Sequence, residues 1–298
     1  DLFAAGVELP EAVNMFCNAI EKAANVFGAP PAERADWLPP DVKLDADADT
    51  IYFAGCLPSY RAQSTAESTA NILNALDVRF NTLGEDEQCC GNPMIMVGNL
   101  FLARDLIRHN YELLKGKKVI TSCAGCYRTL AEDYPRLLGE ECTIDVTHIV
   151  KVLAEHIDQG KVKFTKEIKQ KVVYHDPCEL GRDMKVFDEP RKILQSIPGI
   201  ELVEFERTRE QTWCCGGGGA VKGVDFNLSV EIGGDKLQQA KEVGATLIVS
   251  ACPSCKININ DAIIANESEL VIKDITELVI EAGISRADIA ELAGISKA

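Results

Sequence analysis

The residues best equipped for chemistry are the cysteines, and their spacing repeats. Cys214-Cys215-Gly216-Gly217-Gly218-Gly219 joins two adjacent thiols to glycine, as Cys89-Cys90-Gly91 does earlier in the chain. Cys56 precedes the earlier pair by 32 intervening residues, and Cys123-Ala124-Gly125-Cys126 begins after another 32. Cys178 precedes the later pair by 35, and Cys252-Pro253-Ser254-Cys255 begins after 36. Ten of the 12 cysteines therefore fall into two matching sets of five, each a single, an adjacent pair and a CxxC. Only Cys17, inside a helical pattern and read as a buried structural thiol, and Cys142, a spare thiol in a loop, stand outside.

Such thiols act together only if the fold brings them together. From Thr50 the pattern is strand, loop, helix, repeated. In the first half the expected strands are Ile51 to Ala54, Val78 to Thr82, Lys118 to Thr121 and Ile144 to Val146. The expected helices are Ser64 to Leu76, Leu100 to Leu114, one through Leu130 that stops near Tyr134-Pro135, and Ile149 to His156. The second half repeats the order, with strands at Lys171 to Tyr174, Glu201 to Phe205, Thr246 to Ser250 and Leu270 to Lys273. Its helices are Glu189 to Ile197 and Phe226 to Val243. Alternation of this kind predicts an α/β chain of two pseudo-symmetric units, each a small parallel sheet flanked by helices. Ligands of such sheets gather beyond the carboxyl ends of the strands, where the cysteines fall.

Ahead of the repeat, Glu11 to Phe27 reads as a helix, and Gly28 to Asp49 as an extended arm ending in the acidic linker Asp45-Ala46-Asp47-Ala48-Asp49. The expected division is 1–49 for this extension, 50–160 for the first unit, and 161–298 for the second with a helical tail. Ser285-Arg286-Ala287-Asp288 has the form of a capping box opening a last helix, Ala287 to Leu292.

Three chemistries compete for five converging thiols. A disulfide network lacks the secretion signal that an oxidising compartment requires. Zinc sites favour two separated CxxC pairs, whereas each set has one. Iron–sulfur ligation accommodates the pattern best, because soft thiolates select such clusters and several irons spread the ligands over a wider polyhedron. Gly91, Gly216, Gly217 and Gly218 would let the backbone approach the cluster and aim N–H groups at its sulfurs.

At these residues the chain resembles the CCG-domain family, in particular the B- and D-type catalytic subunits of heterodisulfide reductase from methanogenic archaea. The matching stretches are Gly55-Cys56-Leu57-Pro58-Ser59-Tyr60-Arg61, Glu87-Gln88-Cys89-Cys90-Gly91-Asn92-Pro93, Ser122-Cys123-Ala124-Gly125-Cys126-Tyr127, Tyr174-His175-Asp176-Pro177-Cys178 and Trp213-Cys214-Cys215-Gly216-Gly217-Gly218. The resemblance implies two non-cubane [4Fe-4S] clusters, one held by Cys56, Cys89, Cys90, Cys123 and Cys126, the other by Cys178, Cys214, Cys215, Cys252 and Cys255. It implies reduction of the CoM-S-S-CoB heterodisulfide between them, in methanogenesis. Electrons would arrive from an iron–sulfur donor subunit, within a flavin-containing or a cytochrome-containing complex. The other reading the family offers is a subunit that only relays electrons. Relatives of the D type carry a ferredoxin-like segment that nothing here matches, while Arg34-Ala35-Asp36-Trp37-Leu38-Pro39 looks like the D-type linker. The expectation is a D-like core whose ferredoxin segment is absent, lost or on another chain; the opening Asp1 fits a processed chain or a fragment.

Thiolate products need protons or a cation. His175, three residues before Cys178, is a candidate proton source. Arg61 and Arg182 occupy parallel places after Cys56 and Cys178 and are candidates for offsetting cluster charge or binding an anionic substrate group. Tyr127 and Lys256 are weaker candidates of the same kind, and Trp213 is expected to shield a cluster from water. His109 and His156 read as surface residues, and His148 is uninformative. A net charge of -15 argues against a nucleic-acid partner, and no apolar run is long enough for a membrane span. A cytoplasmic location is expected, in a soluble complex or on the cytoplasmic face of a membrane complex.

Overall fold

The computed structural model describes residues 6, 8 and 10–287. Three strands, β1 (Thr50–Phe53), β2 (Lys118–Thr121) and β3 (Asp145–His148), form a parallel sheet in that order, with Tyr52 opposite Ile120 and Ile120 opposite Thr147. Alternate residues of β1 serve two cores. Tyr52 faces one that runs into the second unit, while Ile51 and Phe53 face one shared with the N-terminal helix Glu11–Ala23. Both faces are thus covered, which explains why these strands read as apolar runs rather than alternations.

The second half contains β4 (Val162–Phe164), β5 (Gln170–His175), β6 (Ile200–Val203), β7 (Leu247–Ser250), β8 (Val271–Asp274) and β9 (Ile284–Arg286). Strands β6-β5-β7-β8 make a parallel sheet. Its order repeats that of the first sheet once Asn81 is placed outside β1. The strand expected at Val78 to Thr82 shrinks to that one position: Tyr52 N donates to Asn81 O at 2.8 Å and Asn81 N to Thr50 O at 3.0 Å. The chain turns away at once, because the Asn81 side chain accepts from Thr82 N at 2.9 Å.

Two further expectations are corrected. The helix after Cys126 does not stop at Pro135; Ala124–Arg128 passes through a π-helical stretch, Thr129–Asp133, into Tyr134–Leu138. Pro135 sits in the first turn of that last segment, where its missing N–H costs nothing. The segment after Phe27 is no extended arm: Pro31–Ala35 is a 3-10 turn, Arg34 is only 2% exposed, and Trp37 packs edge-on against Tyr52 at 5.6 Å. Strands β4 and β9 pair antiparallel, Val162 opposite Arg286. Ser285 and Arg286 therefore lie in a strand, and the helix expected from Ala287 to Leu292 lies outside the described residues apart from Ala287. No helix among the described residues is long and apolar enough to cross a membrane.

Candidate functional site

Equivalent strands deliver equivalent cysteines. Cys56 follows β1 and Cys178 follows β5; Cys123 follows β2 and Cys252 follows β7. The adjacent pairs arrive on loops after the outer position of each sheet. Gly91 has φ +95° and Gly216 φ +84°, and a Cβ would lie 2.9 Å from Ile107 Cγ1 at the first and 2.8 Å from Ser229 O at the second. Both loops therefore need glycine to sit tight against a helix. Gly217 is close-packed too, 2.8 Å from Ser254 O to a built Cβ, whereas Gly218 has open space. Gly216 N and Gly217 N donate to Cys214 Sγ and Cys215 Sγ at 3.3 and 3.5 Å.

The ten thiols make one unbroken series of contacts. In the first set Cys56 meets Cys89, then Cys90, Cys126 and Cys123. In the second, Cys178 meets Cys214, then Cys215, Cys255 and Cys252. The sets join where Cys123 contacts Cys252, the equivalent residues of the two CxxC motifs. Cys215 Sγ and Cys255 Sγ lie 3.2 Å apart, and every cysteine of both sets is unbridged. Thiol donors beside them favour the thiolate at Cys90, held at about 6 mainly by Cys126. Cys126 and Cys252 lower Cys123 likewise, and Cys178 and Cys215 lower Cys214.

The surroundings of the two sets differ. Every cysteine of the first set is 8% exposed or less, whereas in the second Cys178 is half-buried and Cys214 is exposed. Beside the first set Arg34 Nη2 donates to Cys56 Sγ at 3.8 Å, and Arg34 Nη1 donates to Glu87 Oε1 at 2.8 Å. Glu87 also accepts from Ala54 N and Gly55 N, at 3.0 and 2.9 Å, and so braces the turn that presents Cys56. Its carboxyl is raised by burial and held back by Arg34. Beside the second set stand His175 and Lys236. One ring nitrogen of His175 and the sulfurs of Cys215 and Cys255 lie within 4.8 Å of one another. His175 is 1% exposed, and neither of its ring nitrogens has a hydrogen-bond partner. Burial, reinforced by Lys236, pushes its pKa down to about 3, so the ring is neutral.

The two parallel arginines part company. Arg61 lies on the surface, stacked at 4.8 Å over Phe27 and donating to Tyr60 O at 3.3 Å. Arg182 donates to Thr212 O at 2.6 Å and so ties down the approach to Trp213 and Cys214. Trp213 is itself 48% exposed, under Arg207 at 5.0 Å. Lys256 pairs with Glu277 at 2.6 Å and donates to Ser64 Oγ at 2.9 Å, and the Tyr127 hydroxyl accepts from Lys151 at 3.3 Å. His148 caps the helix Ile149–Asp158, and His109 and His156 bind the carbonyls of Asp86 and Val152.

Sequence reasoning passed over three groups. Arg34 was visible only as part of a leader. Lys236 is completely buried in the helix Phe226–Glu242, between the buried positions Ser229, Gly233, Leu237 and Ala240; a lysine on the apolar stripe of a helix is the signal that marks it. Glu179, beside Cys178, accepts from Asn92 Nδ2 at 2.6 Å and from Arg128 Nε at 3.4 Å, and so crosses from the second set to two loops of the first. Nothing in local sequence reveals that crossing.

Soft donors in two buried sets, unbridged although in contact, with an orphaned imidazole aimed at the sulfurs, fit clusters whose sulfides would accept the missing hydrogen bonds. They define a cysteine-rich redox protein of the iron–sulfur class. The model of the CCG cysteine-rich domain matches residues 50–131 and 172–260. The chain is 42% identical over 275 residues to the D-type subunit of the dihydromethanophenazine:CoB–CoM heterodisulfide reductase of Methanosarcina mazei, covering 90% of this chain and 67% of that protein. It is 38% identical to the B-type subunit of the fumarate reductase (CoM/CoB) of Methanothermobacter marburgensis, covering 71% and 42%. It is 33% identical to the probable iron-sulfur-binding oxidoreductase FadF of Bacillus subtilis, covering 88% and 39%. The chain thus spans about two thirds of the first relative and less than half of the other two. It belongs to the CCG cysteine-rich domain family.

Proposed function

We propose that this chain is the iron–sulfur catalytic subunit of a CoB-CoM heterodisulfide reductase. Units 50–160 and 161–298 would each hold one non-cubane [4Fe-4S] cluster through the five cysteines assigned above. The observation that carries this reading is the meeting of two complete five-cysteine sets at Cys123 and Cys252. Clusters bound there would supply two one-electron centres close together, matching the two electrons that a disulfide requires.

The chain's own residues prepare the site for that reaction. Exposed Cys214 and half-buried Cys178 open the second set to a solute, while the first set stays enclosed. Arg182 fixes the loop that carries Cys214. Neutral His175 offers one N–H toward the sulfurs, and its burial keeps water off that side. Arg61 faces the surface and is assigned no contact with substrate. The electron donor in this reading is an iron–sulfur protein of a flavin-containing or cytochrome-containing complex. Enclosure of the first set is the one observation that favours the alternative, a chain that only relays electrons; completeness of both sets favours catalysis.

Low-temperature EPR on anaerobically purified, oxidised protein, before and after addition of coenzyme M thiol, tests this. The expected result is a new paramagnetic signal, broadened by iron-57. Protein with both clusters present by iron and sulfide analysis but no such signal would transfer the assignment to the relay.

A further inference from the structure

We infer that Lys236 is a positioning residue for the second cysteine set, a buried uncompensated cation that makes the centre held there easier to reduce than the centre held by the first. The inference rests on the two-cluster reading above.

Lys236 is 0% exposed, and a lysine is almost never buried without an anion to pair with. Among the described residues no carboxylate lies within ion-pair distance of its Nζ. The ammonium donates to the neutral Gln239 Oε1 at 3.1 Å and lies 4.8 Å from the centre of the Phe205 ring. The negative charges that act on it are those of Cys215, Asp176, Cys214 and Cys255. Asp176 is already committed: its two oxygens accept from Arg191 at 2.7 and 2.9 Å, and Oδ2 also accepts from Arg209 N at 2.9 Å. The thiolates of the second set are left as the counter-charge for Lys236. Thiolates and cluster together form a buried anion, and a buried anion needs a cation as much as the reverse.

The equivalent place in the first unit is arranged otherwise. Arg34 reaches Cys56, but its charge is cancelled by Glu87 at 2.8 Å, a pair only 2% and 3% exposed. The first set therefore sees a dipole, and the second sees a net positive charge. A positive charge stabilises the more negative, reduced state of whatever it faces, and in a dry interior that preference is weakly screened. Sequence repetition has thus produced two sites with the same ligands and unequal affinity for an electron. The solvent-facing set is the one that holds the electron more tightly.

The test is an anaerobic redox titration of the full chain with its clusters, followed by EPR and visible absorbance. The wild type, Lys236→Met, Lys236→Gln and Lys236→Arg are compared at equal iron content. Cys214→Ser identifies the second-set signal, as the one whose shape it changes. Lys236→Met and Lys236→Gln are expected to move the second-set midpoint to more negative potential and leave the first unchanged, while Lys236→Arg retains the wild-type value. The sizes of Met and Gln bracket the site, so a folding defect in one leaves the other to report. Unchanged midpoints in a loaded charge-removing variant, or an equal shift at both centres, would overturn the inference. Should both fail to load, loss of iron by Lys236→Arg as well would overturn it, since that variant keeps the charge. Absence of iron–sulfur absorbance in the wild type would instead sink the cluster reading itself.

Discussion

The two cysteine sets share ligands, spacing and strand origins, yet one is sealed and the other open. Around the first, the N-terminal helix Glu11–Ala23 and the 3-10 turn at Arg34 cover the site, and an internal ion pair cancels the local charge. Around the second, no equivalent cover among the described residues reaches Cys214, and Lys236 stands without a carboxylate. Duplication supplies matching ligands, and the residues outside the repeat decide what each site does. The leader, which carries no ligand, makes much of the difference.

Removing Arg34 is the most severe way to break the comparison. Arg34→Ala leaves the Glu87 carboxylate buried without its partner, at an expected cost of about 3–5 kcal/mol in denaturant unfolding. The double variant Arg34→Met with Glu87→Gln removes both charges and is expected to recover much of that loss. A single variant as stable as wild type would mean that the pair does not seal the first set.

A milder contrast lies at the ends of β3 and β8, where His148 and Asp274 cap equivalent helices. Burial moves both toward neutrality, His148 down to about 3 and Asp274 up to about 7. A raised carboxyl favours the folded state below its unfolded value of about 3.9, and that stability drains away as pH rises toward 7. A depressed imidazole acts in the opposite sense, stabilising above its unfolded value of about 6.5 and losing that contribution as pH falls toward 3. Between pH 4 and 6.5 the two slopes oppose each other, each at up to about 1.4 kcal/mol per pH unit. Asp274→Asn should therefore gain stability relative to wild type as pH rises across that window, measured by urea unfolding at several pH values. A difference between the two proteins that does not change with pH would contradict the burial argument.

Much of this was legible in the chain. The double motif, the strands that end at Cys56, Cys123, Cys178 and Cys252, and the helix Leu100–Leu114 follow from local periodicity, because both faces of each sheet are covered. What was illegible depends on contacts remote in sequence. Strands β4 and β9 are three residues each, too short to show a period, and pair across the whole second unit. Val78 to Thr82 has strand composition but meets only the short β1 and turns off after Asn81. Arg61 and Arg182 look equivalent by position, and only the fold puts one over Phe27 and the other on the Cys214 loop. Lys236 and Glu179 act across the packing between elements, which spacing along the chain does not encode.

The central claim is that two separate five-cysteine sites exist within one chain. Iron and acid-labile sulfide, measured per chain in anaerobically reconstituted wild type, Cys90→Ala and Cys215→Ala, test it most directly. Each variant is expected to lose about half of the iron and sulfide and to keep the spectrum of the other site. Zinc in place of iron, or loss of all iron from either single variant, would contradict the claim and point to one shared centre built from both sets.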